Sequence, residues 1–422
     1  MKLSRRQFML LSSGTAAAVA LPFIKPSDNG EGGHSPYFQE ISKALKEQSI
    51  GTPRMLVDYD QLLQNVKTLT GHIKPRFDYR IVAKSLPSIE LLQVVMKAAD
   101  TNRLMLFHQP FLSQVAKRLP DADILMGKPM PIQAVERFYQ DGIHNDFVAA
   151  QQIQWLVDSP QRLEQYREFA ESNKLSMAIN IELDVGLHRG GITRDSDLIS
   201  MLDMIETSDT LNFSGFMGYE PHIGKVPGDV LDHRDKAMAE YQHYVQLTEQ
   251  HLKRSIQHLT LNAGGSPTYQ YYNQGQWPMN ELSAGSCLVK PTDFDLASLQ
   301  DHEPACYIAS PVIKQLDQAE IPGIDFMGEL LSSWDPNLKQ AFFIYGGYWK
   351  AKPESPKGLK LNPVYGRSTN QEMLNGSDSV QLKQDDYVFL RPTQSESVML
   401  QFGDLLVYRK GQLIDHWPIL KG

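Results

Sequence analysis

From Arg54 onward the chain repeats one unit: a short apolar run, a turn, then a stretch whose apolar residues recur every three or four positions. The runs fall at 54–58, 79–84, 104–107, 123–126, 154–158, 176–181, 212–217 and 258–262, with amphipathic stretches such as 59–69 and 88–99 between them. A strand that is always followed by a helix returns in the same direction, so successive strands lie parallel and need cover on both faces. Eight such runs suit a sheet closed on itself. The expected fold is therefore α/β, a (β/α)8 TIM-type barrel.

After about residue 295 the rhythm changes. Segments 305–312, 341–348, 386–390, 397–402 and 404–408 read as strands with few helical stretches between them, so a mostly β C-terminal domain is expected. The run 351–362, rich in Lys and Pro, reads as an exposed loop. A chain of 422 residues with 41% hydrophobic and 21% charged residues can bury a large core. Its net charge of -8, with no long basic run, argues against nucleic acid as a partner, since phosphate binding needs clustered Lys and Arg. Cys287 and Cys306 are too few for a disulfide framework; two buried thiols are expected, with one bridge as the alternative.

The first residues read as an address. Arg5 and Arg6 precede an apolar run from Phe8 to Ala20, and Ala18-Val19-Ala20 offers cleavage after Ala20. The run, about 13 residues, falls short of the roughly 20 that span hydrocarbon, so it is no permanent anchor. The predicted organisation is a signal peptide at 1–25, a linker and N-terminal helix at 26–51, a barrel at 52–290 and a β domain at 291–422.

Barrel chemistry sits at the C-terminal ends of the strands. Lys84 closes one of them; with Tyr79, Ile81 and Ala83 facing outward it points inward, and apolar walls there would favour its neutral, nucleophilic amine. Such an amine suits a covalent bond to a carbonyl cofactor. Beyond the last run, Gly264 and Gly265 allow close backbone approach to an anion, and the Ser266 and Thr268 hydroxyls can add hydrogen bonds. Tyr219 and His222 lie where a ring and an imidazole could meet a heteroaromatic ligand. Glu182 and Asp184 share a strand face, but a glycosidase would draw its carboxylates from separate strands; an Asp184–Arg189 salt bridge is the plainer reading.

In order, these segments resemble the fold-type III pyridoxal phosphate enzymes, in the D-threonine aldolase and D-serine dehydratase branch. Arg80-Ile81-Val82-Ala83-Lys84-Ser85 is similar to the strand carrying the cofactor lysine, and 182–191, 213–222, 262–268 and 280–286 to further family elements. The likeness covers about residues 52 to 295, and the β domain more loosely. It implies pyridoxal 5′-phosphate on Lys84, its phosphate on Gly264, Gly265 and Ser266, with Arg189, Tyr219 and His222 near its ring. It also implies a small amino-acid substrate and, from relatives that are often dimers, a homodimer. Ser4-Arg5-Arg6-Gln7-Phe8 resembles a twin-arginine signal, which implies the twin-arginine translocon as a transient partner and a periplasmic location.

The likeness breaks in the β domain. Where the branch holds a divalent metal through His-x-Cys or His-x-Asp, this chain has Gln394 and Glu396, a pair that suits a harder ion such as Mn, Mg or Ca better than zinc. A second family histidine is absent from Gln371-Glu372-Met373-Leu374. The leading expectation is a lyase acting on a small D-amino acid. Racemisation, with Tyr365 as an opposing base, is the second, and a non-catalytic periplasmic binding protein the third.

Overall fold

A computed structural model describes residues 25–143, 145–317, 332–362 and 365–422. The signal peptide and Ala20 cleavage site lie outside the described residues. By its internal contacts the chain divides into two compact units. One comprises Val57–Cys306, Gln394–Val407 and Asp415–Gly422; the other comprises the residues up to Leu56, Tyr307–Thr393 and Tyr408–Ile414. The segment Gln394–Val407 groups with the barrel unit.

The barrel unit is a closed cylinder of eight parallel strands. They are β2 (Asp78–Val82), β3 (Arg103–Leu106), β4 (Asp123–Met126), β5 (Ile153–Val157), β6 (Met177–Leu183), β7 (Leu211–Gly218), β8 (Thr260–Ala263) and β9 (Glu281–Ala284). Helices α2 (Tyr59–Ile73), α3 (Ile89–Ala99), α4 (Gln109–Arg118), α5 (Ile132–Gln140), α6 (Ala149–Gln152), α7 (Pro160–Asn173), α8 (Asp195–Glu206) and α9 (Val230–Leu252) connect them or flank them. Short polar side chains start several of these helices. Asp58 accepts the Asp60 and Gln61 N–H groups, Ser159 that of Arg162, and Asp229 those of Leu231 and Asp232.

The strand count was right, but its membership needs correction. The first run, β1 (Arg54–Asp58), belongs to the other sheet, and the eighth barrel strand is β9, which closes the ring by pairing with β2 and β8. A short apolar run reads alike in either sheet. Strand β9 escaped notice because Glu281 and Ser283 are polar, yet both are buried. Glu281 meets Arg80, and Ser283 Oγ accepts from Asn262 at 2.7 Å.

The second unit begins with α1 (Pro36–Glu47), which buries Phe38, Ile41, Ala44 and Leu45. Its sheet runs in the order β13 (Lys360–Leu361), β14 (Gln371–Gly376), β11 (Gln340–Tyr345), β10 (Cys306–Leu316), β1, β16 (Leu405–Arg409), β17 (Gln412–Trp417). In addition β15 (Tyr387–Pro392) pairs with β10 and with β12 (Ala351–Ser355). Two expectations fail here. The Lys- and Pro-rich run is no exposed loop, for β12 pairs antiparallel with β15 and buries Ala351 and Ser355, Pro353 being tolerated beside a register shift. Segment 397–402 is no strand either: α10 (Glu396–Met399) forms there and buries the adjacent Val398 and Met399. Cys287 and Cys306 are buried free thiols, and burial pushes the Cys287 thiol up to about 12. Among the described residues no helix is long and apolar enough to cross a membrane.

Candidate active site

Strand β2 ends at Val82, and a single 3-10 turn, Ala83–Ser85, carries Lys84 to the mouth of the barrel. The expected apolar walls are not what surrounds it. The Lys84 side chain is 40% exposed; its Nζ lies 2.8 Å from Glu396 Oε1 and 4.7 Å from the centroid of the Phe107 ring. The turn lifts the amine out of the strand's apolar layer to where α10 presents a carboxylate. Lys84 lines a cleft together with Arg189, Tyr219, Glu396 and the turn of Gly264, Gly265 and Ser266.

That turn is built for close approach. Gly264 adopts φ +79°, a left-handed conformation, and a Cβ there would stand 2.9 Å from Leu282 Cδ2. A Cβ on Gly265 would come within 2.7 Å of Tyr219 Cε2, so the backbone lies against the phenol ring. Ser266 Oγ accepts the Gly285 and Cys287 N–H groups, each at 3.1 Å, which leaves its O–H to donate. Thr268 does not serve as expected. Its hydroxyl donates to Glu220 Oε1 at 2.7 Å and receives the Gly265 N–H at 3.0 Å, so it braces the turn. Glu220 also accepts the Gly264 N–H at 3.2 Å, and complete burial raises its carboxyl above the usual range. Its only trace in the sequence was a carboxylate directly after a barrel strand.

Tyr219 is the wall between the charged groups. The Arg189 guanidinium lies 5.1 Å from its ring centroid, a cation–π distance. Burial, then Glu220, pushes the phenol up to about 12; Glu396 adds to this and Arg189 opposes it. Arg189 does not pair with Asp184 as anticipated. Asp184 accepts from the Gly186 and His188 N–H groups and meets His188 Nδ1 at 2.9 Å. Glu182, near Asp158, Arg189 and Asp184, is pushed up to about 7, first by burial and then by Asp158.

His222 does not line the Lys84 cleft. It sits in a separate depression with Asp184, His188 and His233, where Gly186 packs close to its Nε2. The metal pair is also divided. Gln394 Nε2 donates to Asp293 Oδ2 at 3.1 Å while Glu396 meets Lys84, and among the described residues no cluster of three or more His, Cys, Asp or Glu side chains could hold a metal ion. Glu372 is buried against Arg367 and accepts the Tyr348 N–H at 2.9 Å. Tyr365 lies half exposed in the β unit, its N–H bonded to Asn362 Oδ1. The Glu396–Lys84 contact escaped sequence reading, because periodicity tells which way a side chain faces and not which distant segment meets it.

Residues 57–293 match the family model described as alanine racemase, N-terminal domain. The 3-hydroxy-D-aspartate aldolase of Paracoccus denitrificans (strain Pd 1222) is 21% identical over 392 residues, 89% of this chain and 93% of that one. Among solved structures, D-threonine aldolase from Filomicrobium marinum superposes with a TM-score of 0.69 at 14% identity, over 87% of this chain and 96% of its own. Alanine racemase from Bacillus anthracis with bound L-Ala-P gives 0.66 at 12% identity, over 87% and 98%. These likenesses show a shared fold, barrel and β domain together.

Proposed function

The chain belongs to the alanine racemase N-terminal domain family, and we propose that it is a pyridoxal 5′-phosphate-dependent lyase acting on a small D-amino acid. One observation carries the reading. A lysine amine, an aromatic wall and a glycine turn with a hydroxyl donor line a single cleft, as Lys84, Tyr219 and Gly264-Gly265-Ser266. These groups fit the cofactor in kind: an amine for its aldehyde, a ring for its pyridine, and, beside the glycine turn, the Ser266 O–H for its phosphate.

When bound, the cofactor supplies an electron sink for the pair left at the substrate carbon. The chain supplies the rest. Lys84 Nζ is the attachment point and the proton carrier of the cleft. The Ser266 hydroxyl would donate to its phosphate beside the Gly264-Gly265 turn, which Thr268 and Glu220 hold rigid from behind by accepting the two glycine N–H groups. Arg189, stacked on Tyr219, keeps a fixed positive charge at the ring wall. The names of the relatives, an aldolase of 3-hydroxy-D-aspartate and one of D-threonine, support a β-hydroxylated D-substrate.

The test is a panel of D- and L-amino acids, run with and without chelator. An aldehyde or pyruvate released from D-threonine or D-serine supports the lyase. Exchange at Cα in deuterated water without cleavage would replace it with a racemase, and tight binding without either with a non-catalytic binding protein. We also propose export to the periplasm by the twin-arginine route, supported by Arg5-Arg6 and the short apolar run after them.

A further inference from the structure

The carboxylate of Glu396 stands at the Lys84 cleft on a backbone that its neighbours fix. In α10, Val398 and Met399 are buried at 1% and 0% exposure, which anchors the short helix. Glu396 itself keeps 37% of its side chain exposed and lines the cleft. A second carboxylate lies close by in sequence to a cleft residue: Asp293 receives the Gln394 amide, and its neighbour Phe294 is part of the lining. The cations of the cleft are Lys84 and Arg189, and Lys84 is the one that neutralises Glu396. Arg189, the other cation of the lining, is held on the Tyr219 ring. With part of its carboxylate exposed to the cleft, Glu396 presents an acceptor-only group to whatever side chain a substrate brings.

We propose that Glu396 is a specificity-determining residue: it makes the cleft accept a small amino acid whose side chain ends in a hydroxyl or ammonium donor and reject one whose side chain carries a carboxylate. The inference rests on the proposed function, that this cleft takes an amino acid. Its physical basis is the juxtaposition of like charges, which discriminates by penalising the wrong partner as well as by favouring the right one. The Paracoccus relative takes, by its name, a dicarboxylic amino acid. The two proteins would thus differ in the side-chain charge they admit.

The experiment titrates cofactor-loaded wild type and Glu396→Gln with D-threonine and with D-threo-3-hydroxyaspartate, following the change in the visible absorption of the bound cofactor. Turnover is recorded as a second reading. In wild type the hydroxyl substrate should bind about tenfold tighter or more than the dicarboxylate, and in Glu396→Gln the ratio should shrink to about twofold, mainly through gain of the dicarboxylate. An unchanged ratio, or a wild type that prefers the dicarboxylate, overturns the inference. Binding of neither ligand overturns the proposed function itself. If Glu396→Gln proves unfolded by circular dichroism, wild type is titrated from about 50 to about 500 mM KCl, where screening should relax the exclusion. A ratio that ignores salt overturns the inference just as surely.

Discussion

Glu281 grips Arg80 with both carboxylate oxygens, at 2.6 and 2.9 Å, inside the closed barrel where neither side chain reaches solvent. Arg80 also donates to Asp123 Oδ1 and to the Leu104 carbonyl, while Glu281 accepts from Arg103 and Asn262. The pair ties the last barrel strand to the first. Glu281→Leu leaves a buried guanidinium without its main counter-ion and should cost about 3–5 kcal/mol. Arg80→Met should cost less, because Glu281 keeps Arg103 and Asn262. Urea unfolding followed by circular dichroism checks the order of the two midpoints.

Arg80 also marks how far the sequence could be read. Alternation along β2 is expected to set Tyr79 and Ile81 on one side and Arg80, Val82 and Lys84 on the other; Val82 and Lys84 do line one cleft, but the strand ends at Val82 and a 3-10 turn carries Lys84 there. Strand parity is local, so a single strand discloses it. Partners are not local. The 280–286 segment resembles a family element, yet nothing in it tells that Glu281 neutralises Arg80 within the ring. His222 fails for a similar reason. It lies three residues from Tyr219, but the chain turns after β7 and delivers the imidazole to Gly186, away from the cleft. Glu396 was read through a family ligand position and found instead on the lysine.

Lys84→Ala should abolish cofactor attachment without unfolding the chain. The residue is 40% exposed, so its truncation should change stability by no more than about 0.5 kcal/mol. Loss of its proton transfer alone should cost about 10²- to 10⁴-fold in rate. Borohydride treatment of loaded protein, followed by peptide mass analysis, should tag the peptide containing residue 84 in wild type and leave the variant untagged.

The glycine turn makes a sharper test of the phosphate site. Gly265→Ala drives a methyl to within 2.7 Å of Tyr219 Cε2, and Gly264→Ala forces a side chain into φ +79° at a cost of about 1–2 kcal/mol. Each should weaken cofactor binding by about tenfold. Gly224→Ala, where no atom lies within 4 Å of the new Cβ, should bind as wild type does. Fluorescence titration with pyridoxal phosphate measures all three.

Replacing Arg5 and Arg6 together by Lys should retain the protein in the cytoplasm, because the twin-arginine route reads the pair and not merely its charge. Cell fractionation with an immunoblot decides it. Unaltered arrival of the double variant in the periplasm would refute the targeting proposal.

Glu182 supplies a pH signature with a definite sign. Burial and then Asp158 raise its carboxyl from the ordinary value of about 4.5 to about 7, with Arg189 opposing. Between those pH values the folded chain holds a proton on Glu182 that the unfolded chain has released, so stability falls as pH rises through the window. The contribution is about 3 kcal/mol at most. His302 works in the opposite direction. Burial holds its pKa near 4, so the unfolded chain binds the extra proton between that value and 6.5, and stability from this group falls as pH drops. Subtracting the two profiles separates them. Glu182→Gln, measured by urea unfolding from about pH 4.5 to 8, should flatten the decline toward neutral pH and leave the acid limb from His302 in place. A difference profile that is flat across that window would show that Glu182 ionises like an exposed carboxylate.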